Sequence, residues 1–399
     1  MSNGMRGQIV FVNLIGNILA CGTFLIAFCL PAGAIEPSHD TVEELGALLY
    51  HDRNLSMNRT QSCATCHAPD HGFVDMRDNG AGAGVSRAVS LGDDGLSLGD
   101  RNAPSIGYVG FIPAFHKAET GRYRGGFFLD GRAATLEEQA VTPLLNPAEM
   151  GMLEKRAVVE RVRENQGYVA AFRKHYGEAV FEDTDTAYDA LVASIAAFER
   201  SDFFRPFDSR YDRFLAGEAT LTPEEERGRV LFFAEGLTNC ALCHRLRNGP
   251  AELEETFSNY EYHNVGAPVN KAVRKANGGG DVRADLGLLA NAGVDDPAEA
   301  GKIKVPTLRN VAVTGPYMHN GVLNDLRTTV LFYNRYLTDD PAYQINPETG
   351  VAWGEPEFTH SLSRAELETG LPLSEEDIDA LVAFLKTLTD ARFEHLLNE

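Results

Sequence analysis

The sequence predicts a mostly α-helical fold in two similar halves, with long irregular loops. Three observations predict it. A Cys-x-x-Cys-His run occurs twice, as Cys63-Ala64-Thr65-Cys66-His67 and Cys240-Ala241-Leu242-Cys243-His244. A short amphipathic stretch precedes each run, Glu43 to Tyr50 and Gly228 to Phe233, so helix, loop and motif recur in the same order. Strand signals are scarce, while helical stretches with capping residues are common.

The repeated motif carries specific chemistry. Two thiols two residues apart can form thioethers with the vinyl groups of one haem, and the adjacent His reaches the iron from the proximal side. The four cysteines of the two motifs are the only ones outside the N-terminal leader. A four-Cys zinc site is the competing reading, but it leaves the His after each pair unexplained. The expectation is two covalent c-type haems, and hence two cytochrome c-like domains.

Length and charge narrow the class. The chain has 399 residues, enough for two modest cores, with 44% apolar and 23% charged residues, as in a globular protein. A net charge of −21 argues against nucleic acid and leaves room for an electrostatically steered protein partner. Residues 1–34 read as a secretory leader: Arg6, an apolar stretch from Ile9 to Leu30, then Ala32-Gly33-Ala34 as a cleavage site. The alternative is an uncleaved anchor, because the stretch is long enough to span a bilayer. Export places the protein in the periplasm, where bacteria attach c-type haems. The domains are set at 35–215 and 216–399.

In chain order, Glu43 to Tyr50 opens the first domain, and Gly80 to Gly99 is a Gly, Ser and Asp-rich surface loop. Ala157 to Tyr176 and Thr186 to Arg200 read as helices. Thr222-Pro223-Glu224-Glu225 starts the helix before the second motif, with a Thr N-cap, Pro in the first turn and Glu three residues on. Asn277 to Gly301 is a second loop. Ser374 caps a last helix with Ile378, Leu381, Val382, Leu385 and Leu388 on one stripe.

A second repeat distinguishes the two haems. Asp130-Gly131-Arg132 leads to Leu136, and Asn320-Gly321-Val322 leads to Leu326; in both the Leu opens a helical run. Twelve residues after Gly131 stands Pro143; twelve after Gly321 stands Tyr333. Proline cannot ligate iron, whereas a tyrosine phenolate can. One haem then has an open distal face and the other is closed by Tyr333. A core aromatic beside Phe332 is the plainer reading of Tyr333.

These motifs resemble the bacterial diheme cytochrome c peroxidase superfamily and, within it, the MauG-type enzymes. The stretches that carry the resemblance are Arg101 to Ser105, Phe128 to Arg132, Leu145 to Met150, and Val305 to Asn310 continuing through Gly315 to Gly321. Ordinary diheme peroxidases place Met where this chain has Tyr333; MauG-type proteins have Tyr. The resemblance implies that His67 is the proximal ligand of a high-spin haem, and that His244 and Tyr333 are the axial ligands of a six-coordinate one. It implies distal-pocket roles for Gln139, Pro143 and Glu149, and a calcium ion held by Asn102, Thr314 and Pro316. Main-chain carbonyls at the last two suit a hard cation.

The implied reaction is peroxide-dependent oxidation of a precursor of methylamine dehydrogenase, by long-range electron transfer, to complete tryptophan tryptophylquinone. Hydrogen peroxide, or oxygen plus electrons, is the oxidant. A carboxyl such as Glu149 can move the peroxide proton from the inner to the outer oxygen, and Gln139 can orient the ligand; without the resemblance Glu149 reads as a surface carboxylate. The alternative is a peroxidase that draws electrons from a small redox protein, a c-type cytochrome or cupredoxin. A diheme carrier without peroxide chemistry is the third reading, and Pro143 argues against it.

The sequence departs from the family pattern in two places. Leu129 stands where the family commonly has an inter-haem Trp, and Thr238 where MauG-type sequences have another. Tyr123, Phe127 or the porphyrin edges are the remaining bridges. Trp353, the single Trp, reads as packing. His71 reads as a loop histidine, and neither His319 nor His263 reads as an iron ligand.

Overall fold

The computed structural model describes residues 39–246, 254–280 and 284–398; the leader lies outside them. Residues 37–399 form one compact unit. Its first half runs through α1 (Val42–His51), α2 (Cys63–Cys66), α3 (Leu136–Leu145), α4 (Lys155–Arg163), α5 (Gln166–Tyr176) and α6 (Thr184–Glu199). After α7 (Arg210–Leu215) come α8 (Pro223–Phe232), α9 (Cys240–Cys243), α10 (Lys271–Ala276), α11 (Leu326–Asn334), α12 (Arg364–Leu367) and α13 (Glu375–Lys386). Among the described residues, strand is confined to two-residue antiparallel pairs: β1 (His116–Lys117) with β2 (Tyr123–Arg124), β3 (Tyr262–His263) with β4 (Ile303–Lys304), and β5 (Ile345–Asn346) with β6 (Val351–Ala352). The mostly helical expectation holds.

Local chemistry explains the helix ends. Thr41 and Thr222 both build capping boxes, with Glu44 and Glu225, so the helices before the two motifs start alike. Ser374 does the same with Asp377. One expected helix is interrupted: Ala157 to Tyr176 divides into α4 and α5, because the Asn165 side chain accepts from Gly167 N at 2.9 Å and starts a new helix. The Gly80 to Gly99 loop is not all surface. Val85, Ala88 and Val89 are buried against Val273 of α10.

The two halves repeat in three dimensions. Helix α1 packs on α6 and α8 packs on α13. At each crossing a glycine makes the approach possible: a Cβ on Gly46 would lie 1.9 Å from Ser194 O, and one on Gly228 would lie 1.8 Å from Ala380 O. Left-handed residues recur in step. Phe73 and Phe257 follow the two motifs, Tyr108 and Asn310 precede matching 3-10 turns, and Phe128 and Met318 precede the two glycines Gly131 and Gly321. Leu136 and Leu326 are the first residues of α3 and α11, as the sequence repeat requires.

Each half keeps its own apolar core. Leu45, Leu49, Leu144, Val158, Phe172 and Leu191 centre one; Phe232, Phe257, Phe332, Ile378, Leu381 and Phe384 centre the other. The α13 stripe is buried at Ile378, Leu381 and Leu385, with Val382 half-buried; the helix ends at Lys386, so Leu388, expected on it, is buried just beyond its end. Between the halves lies a polar joint. The Tyr108 hydroxyl donates to Asp390 Oδ1 at 2.5 Å, and Asn310 Nδ2 donates to Asp390 Oδ2 at 2.8 Å. Beside them Arg309, 2% exposed, pairs with Asp212 and faces the Tyr108, Phe207 and Phe257 rings.

Candidate functional site

One cavity of about 1190 Å³ is lined by both Cys-x-x-Cys-His motifs. Small-molecule sites usually hold a single ligand in about 300–1,000 Å³, so this one is large. Cys63, Cys66, Cys240 and Cys243 are free, half-buried thiols on its wall. Burial pushes Cys66 and Cys243 up to about 12, so they stand as neutral thiols. Among the described residues no three His, Cys, Asp or Glu side chains gather as a metal site. The two Cys pairs are therefore separate, against a four-Cys zinc cluster.

The two histidines are set the same way. His67 Nδ1 lies 3.2 Å from Phe73 O, and His244 Nδ1 lies 2.9 Å from Phe257 O. A carbonyl oxygen only accepts, so each Nδ1 carries the proton and each Nε2 keeps its lone pair for an incoming iron. The left-handed backbone at Phe73 and Phe257 lies at these carbonyls. Burial lowers both imidazole pKa values, which keeps them neutral. Free thiols, neutral imidazoles and one large shared cavity fit two c-type haems.

The remaining groups differ between the halves. Gln139 and Pro143 of α3, and Glu149 just beyond it, line the cavity with His67. Glu149 Oε1 accepts from Asn146 Nδ2 at 2.7 Å, and burial holds its carboxyl above the usual range. Tyr333 on α11 also lines the cavity and is 38% exposed, whereas its neighbour Phe332 is fully buried against Trp353. Burial, then the nearby Cys243 and Cys240 sulfurs, push the Tyr333 phenol well above its ordinary value. Asn102, Thr314 and Pro316 share the same wall, and Asn102 N donates to His319 O at 2.8 Å.

Leu129, Phe127 and Thr238 reach the cavity as well. Trp353 is packed, with Nε1 donating to Tyr343 O at 2.9 Å. Tyr123 stacks on Phe115 with ring centres 5.5 Å apart, outside the cavity wall. His71 pairs with Asp70 away from the cavity. His319 lies inside it, 3.8 Å from Asp285. His263 lines it too, with Nδ1 at 3.2 Å from Ser363 Oγ and a buried Nε2 that makes no hydrogen bond and lies 3.9 Å from Glu261 Oε2.

Sequence reasoning missed two buried charges on this wall, Glu199 and Lys304. Glu199 follows Leu191 and Ile195 at four-residue spacing, so a charge on an apolar stripe was the available signal. Lys304 stands two residues before Pro306, as Asn102 stands two before Pro104; the repeat was its signal.

A model of the di-haem cytochrome c peroxidases, CCP_MauG, matches residues 40–220. Methylamine utilization protein MauG of Paracoccus denitrificans is 50% identical over 384 residues, covering 96% of this chain and 97% of that protein. MauG of Methylophilus methylotrophus is 27% identical over 76% of this chain and 75% of its own length. Among solved structures, the diheme peroxidase BthA of Burkholderia thailandensis superposes with a TM-score of 0.77 at 32% identity, over 91% of this chain and 89% of BthA. Separate Cys pairs, two identically braced histidines and a match along nearly the whole sequence converge: the chain belongs to the MauG group of the di-haem cytochrome c peroxidase family.

Proposed function

We propose that this protein is a peroxide-dependent di-haem oxidoreductase that completes tryptophan tryptophylquinone in a precursor of methylamine dehydrogenase. The observation that carries the reading is the asymmetry of one shared cavity: the first half contributes Gln139, Pro143 and Glu149, the second Tyr333. Half identity to Paracoccus MauG supports the same substrate class. In this reading 35–215 and 216–399 each seat one haem, through Cys63, Cys66 and His67 and through Cys240, Cys243 and His244. The haems supply oxidising chemistry with hydrogen peroxide, or with oxygen plus electrons.

The chain's own groups do the rest. The Glu149 carboxyl, desolvated and held by Asn146, exchanges the peroxide proton between its two oxygens. Gln139 would orient the peroxide, and Pro143, which has no ligating group, would leave room for it beside the haem held by His67. Tyr333 would help His244 hold the second haem, where an anionic oxygen ligand favours oxidised iron. Asn102, with the Thr314 and Pro316 carbonyls, would hold calcium. A periplasmic location follows from the same family reading.

Adding peroxide to the diferric protein and then the precursor tests this reading. A spectral response followed by quinone absorbance supports it. Turnover with reduced cytochrome or cupredoxin and no quinone favours a peroxidase instead, a reading that 30% identity to the cytochrome c peroxidase Ccp of Escherichia coli supports.

A further inference from the structure

Lys304 is a buried cation on the cavity wall, 6% exposed. It sits on β4 in the second half, opposite Tyr262, and also reaches the first half. Lys304 N donates to Leu129 O at 3.0 Å, and Lys304 Nζ donates to Gly126 O. The Phe127 ring centre is 5.7 Å from Nζ. One lysine thus holds both ends of the 126–129 segment, with Leu129 at its tip.

Asp130 Oδ2 is shared by Arg101 and Arg132, each at 2.7 Å, and Arg101 also grips Asp285 at 2.5 Å. The carboxylate that acts on Lys304, Asp130, is thus already bound by two arginines, and Lys304 makes no ion pair of its own among the described residues. A charge this buried is costly unless an anion meets it. An ammonium carries three donors, and Gly126 O takes one. Burial pushes Lys304 down to about 7, with Asp130 working against it.

The charged groups acting on Cys63, Cys66 and Cys243 are Glu199, Glu149, Asp75 with Arg77, and Glu261 and Glu366 with Arg122. Lys304 is not among them. A c-type haem is fixed by its vinyl edge and carries its two carboxylates on the opposite edge.

We propose that Lys304 is the built-in counter-cation for a carboxylate of a bound haem, and that this charge raises the reduction potential of that haem. The proposal rests on the two-haem reading and on no feature of the protein substrate. A cation beside a haem disfavours the extra positive charge of ferric iron, so removing it stabilises the ferric form.

The test compares haem-loaded Lys304→Met, Lys304→Gln and Lys304→Arg with the parent. Haem content is measured by pyridine haemochrome, and both midpoint potentials by spectroelectrochemical titration at pH 6. In the two neutral variants at least one midpoint falls by about 59 mV, a tenfold change for a one-electron couple; Lys304→Arg stays near the parent. Gln keeps an N–H donor for Gly126 O, so it covers the case in which Met prevents loading. Unchanged midpoints in a fully loaded neutral variant overturn the proposal, as does an equal fall in Lys304→Arg. Shifted midpoints without quinone formation fault the substrate reading and leave Lys304 in place.

Discussion

Gly46 lies directly against the backbone of Ser194, where a Cβ would stand 1.9 Å from the carbonyl oxygen. Gly228 repeats the contact on Ala380 at 1.8 Å. Neither glycine has a positive φ, so the demand is for space. Each allows a helix that leads to a Cys-x-x-Cys-His motif to press on the helix that closes its half. Replacement by Ala forces α1 from α6, or α8 from α13, at a cost of about 1–3 kcal/mol or more. Urea unfolding midpoints of Gly46→Ala and Gly228→Ala fall below the parent; a midpoint within error in both rejects this account.

Glu199 gives a pH dependence with a definite sign. It is fully buried on the cavity wall, its Oε2 has no protein partner, and burial raises its pKa to about 8. The folded state therefore keeps a proton that the unfolded chain releases near its ordinary value of about 4.3. Its contribution is greatest in acid and is lost as pH rises towards 8. The slope is about 1.4 kcal/mol per pH unit between those values. Glu199→Gln removes that slope, read as the change in unfolding free energy from pH 5 to pH 7. Parallel pH profiles for parent and variant exclude the assignment.

Glu149→Gln keeps the acceptor for Asn146 Nδ2 and loses the exchangeable proton. Proton transfer by a placed side chain is worth about 10²–10⁴-fold, so the spectral response to peroxide slows by that range. Haem content stays the same. A variant that responds at the parental rate removes Glu149 from the peroxide step.

On the proposed reading, Tyr333→Met would exchange an anionic oxygen ligand for a thioether and raise the potential of the second haem. Both haems stay attached, because Cys240, Cys243 and His244 are untouched. Quinone formation in the precursor falls by at least about tenfold, roughly 1.4 kcal/mol in the barrier. Full precursor oxidation by this variant would falsify the role given to Tyr333.

The attachment motifs, the capped helix starts and the repeat from Asp130 to Leu136 and Asn320 to Leu326 were legible in the sequence. Each is a short-range pattern with a fixed spacing. The split between α4 and α5 was missed because a single Asn side chain outweighed the helical periodicity around it. The glycine contacts were not readable, since Gly46 and Gly228 matter only through residues more than a hundred positions away. Lys304 was hidden for a similar reason: its partners Gly126 and Leu129 are far off in sequence. The His-to-carbonyl braces needed the backbone turn at Phe73 and Phe257, which residue type alone does not announce.

The joint at Asp390 has a consequence for assembly. Tyr108 and Asn310, matching residues of the two halves, meet on this one carboxylate, which follows both of them in the chain. A first half without Asp390 keeps the Phe207 N donor on its Tyr108 hydroxyl but lacks that hydroxyl's acceptor, so the joint stays open. The two halves are thus latched together by one carboxylate that belongs to neither helix pair, and the joint closes only when the segment carrying Asp390 has docked.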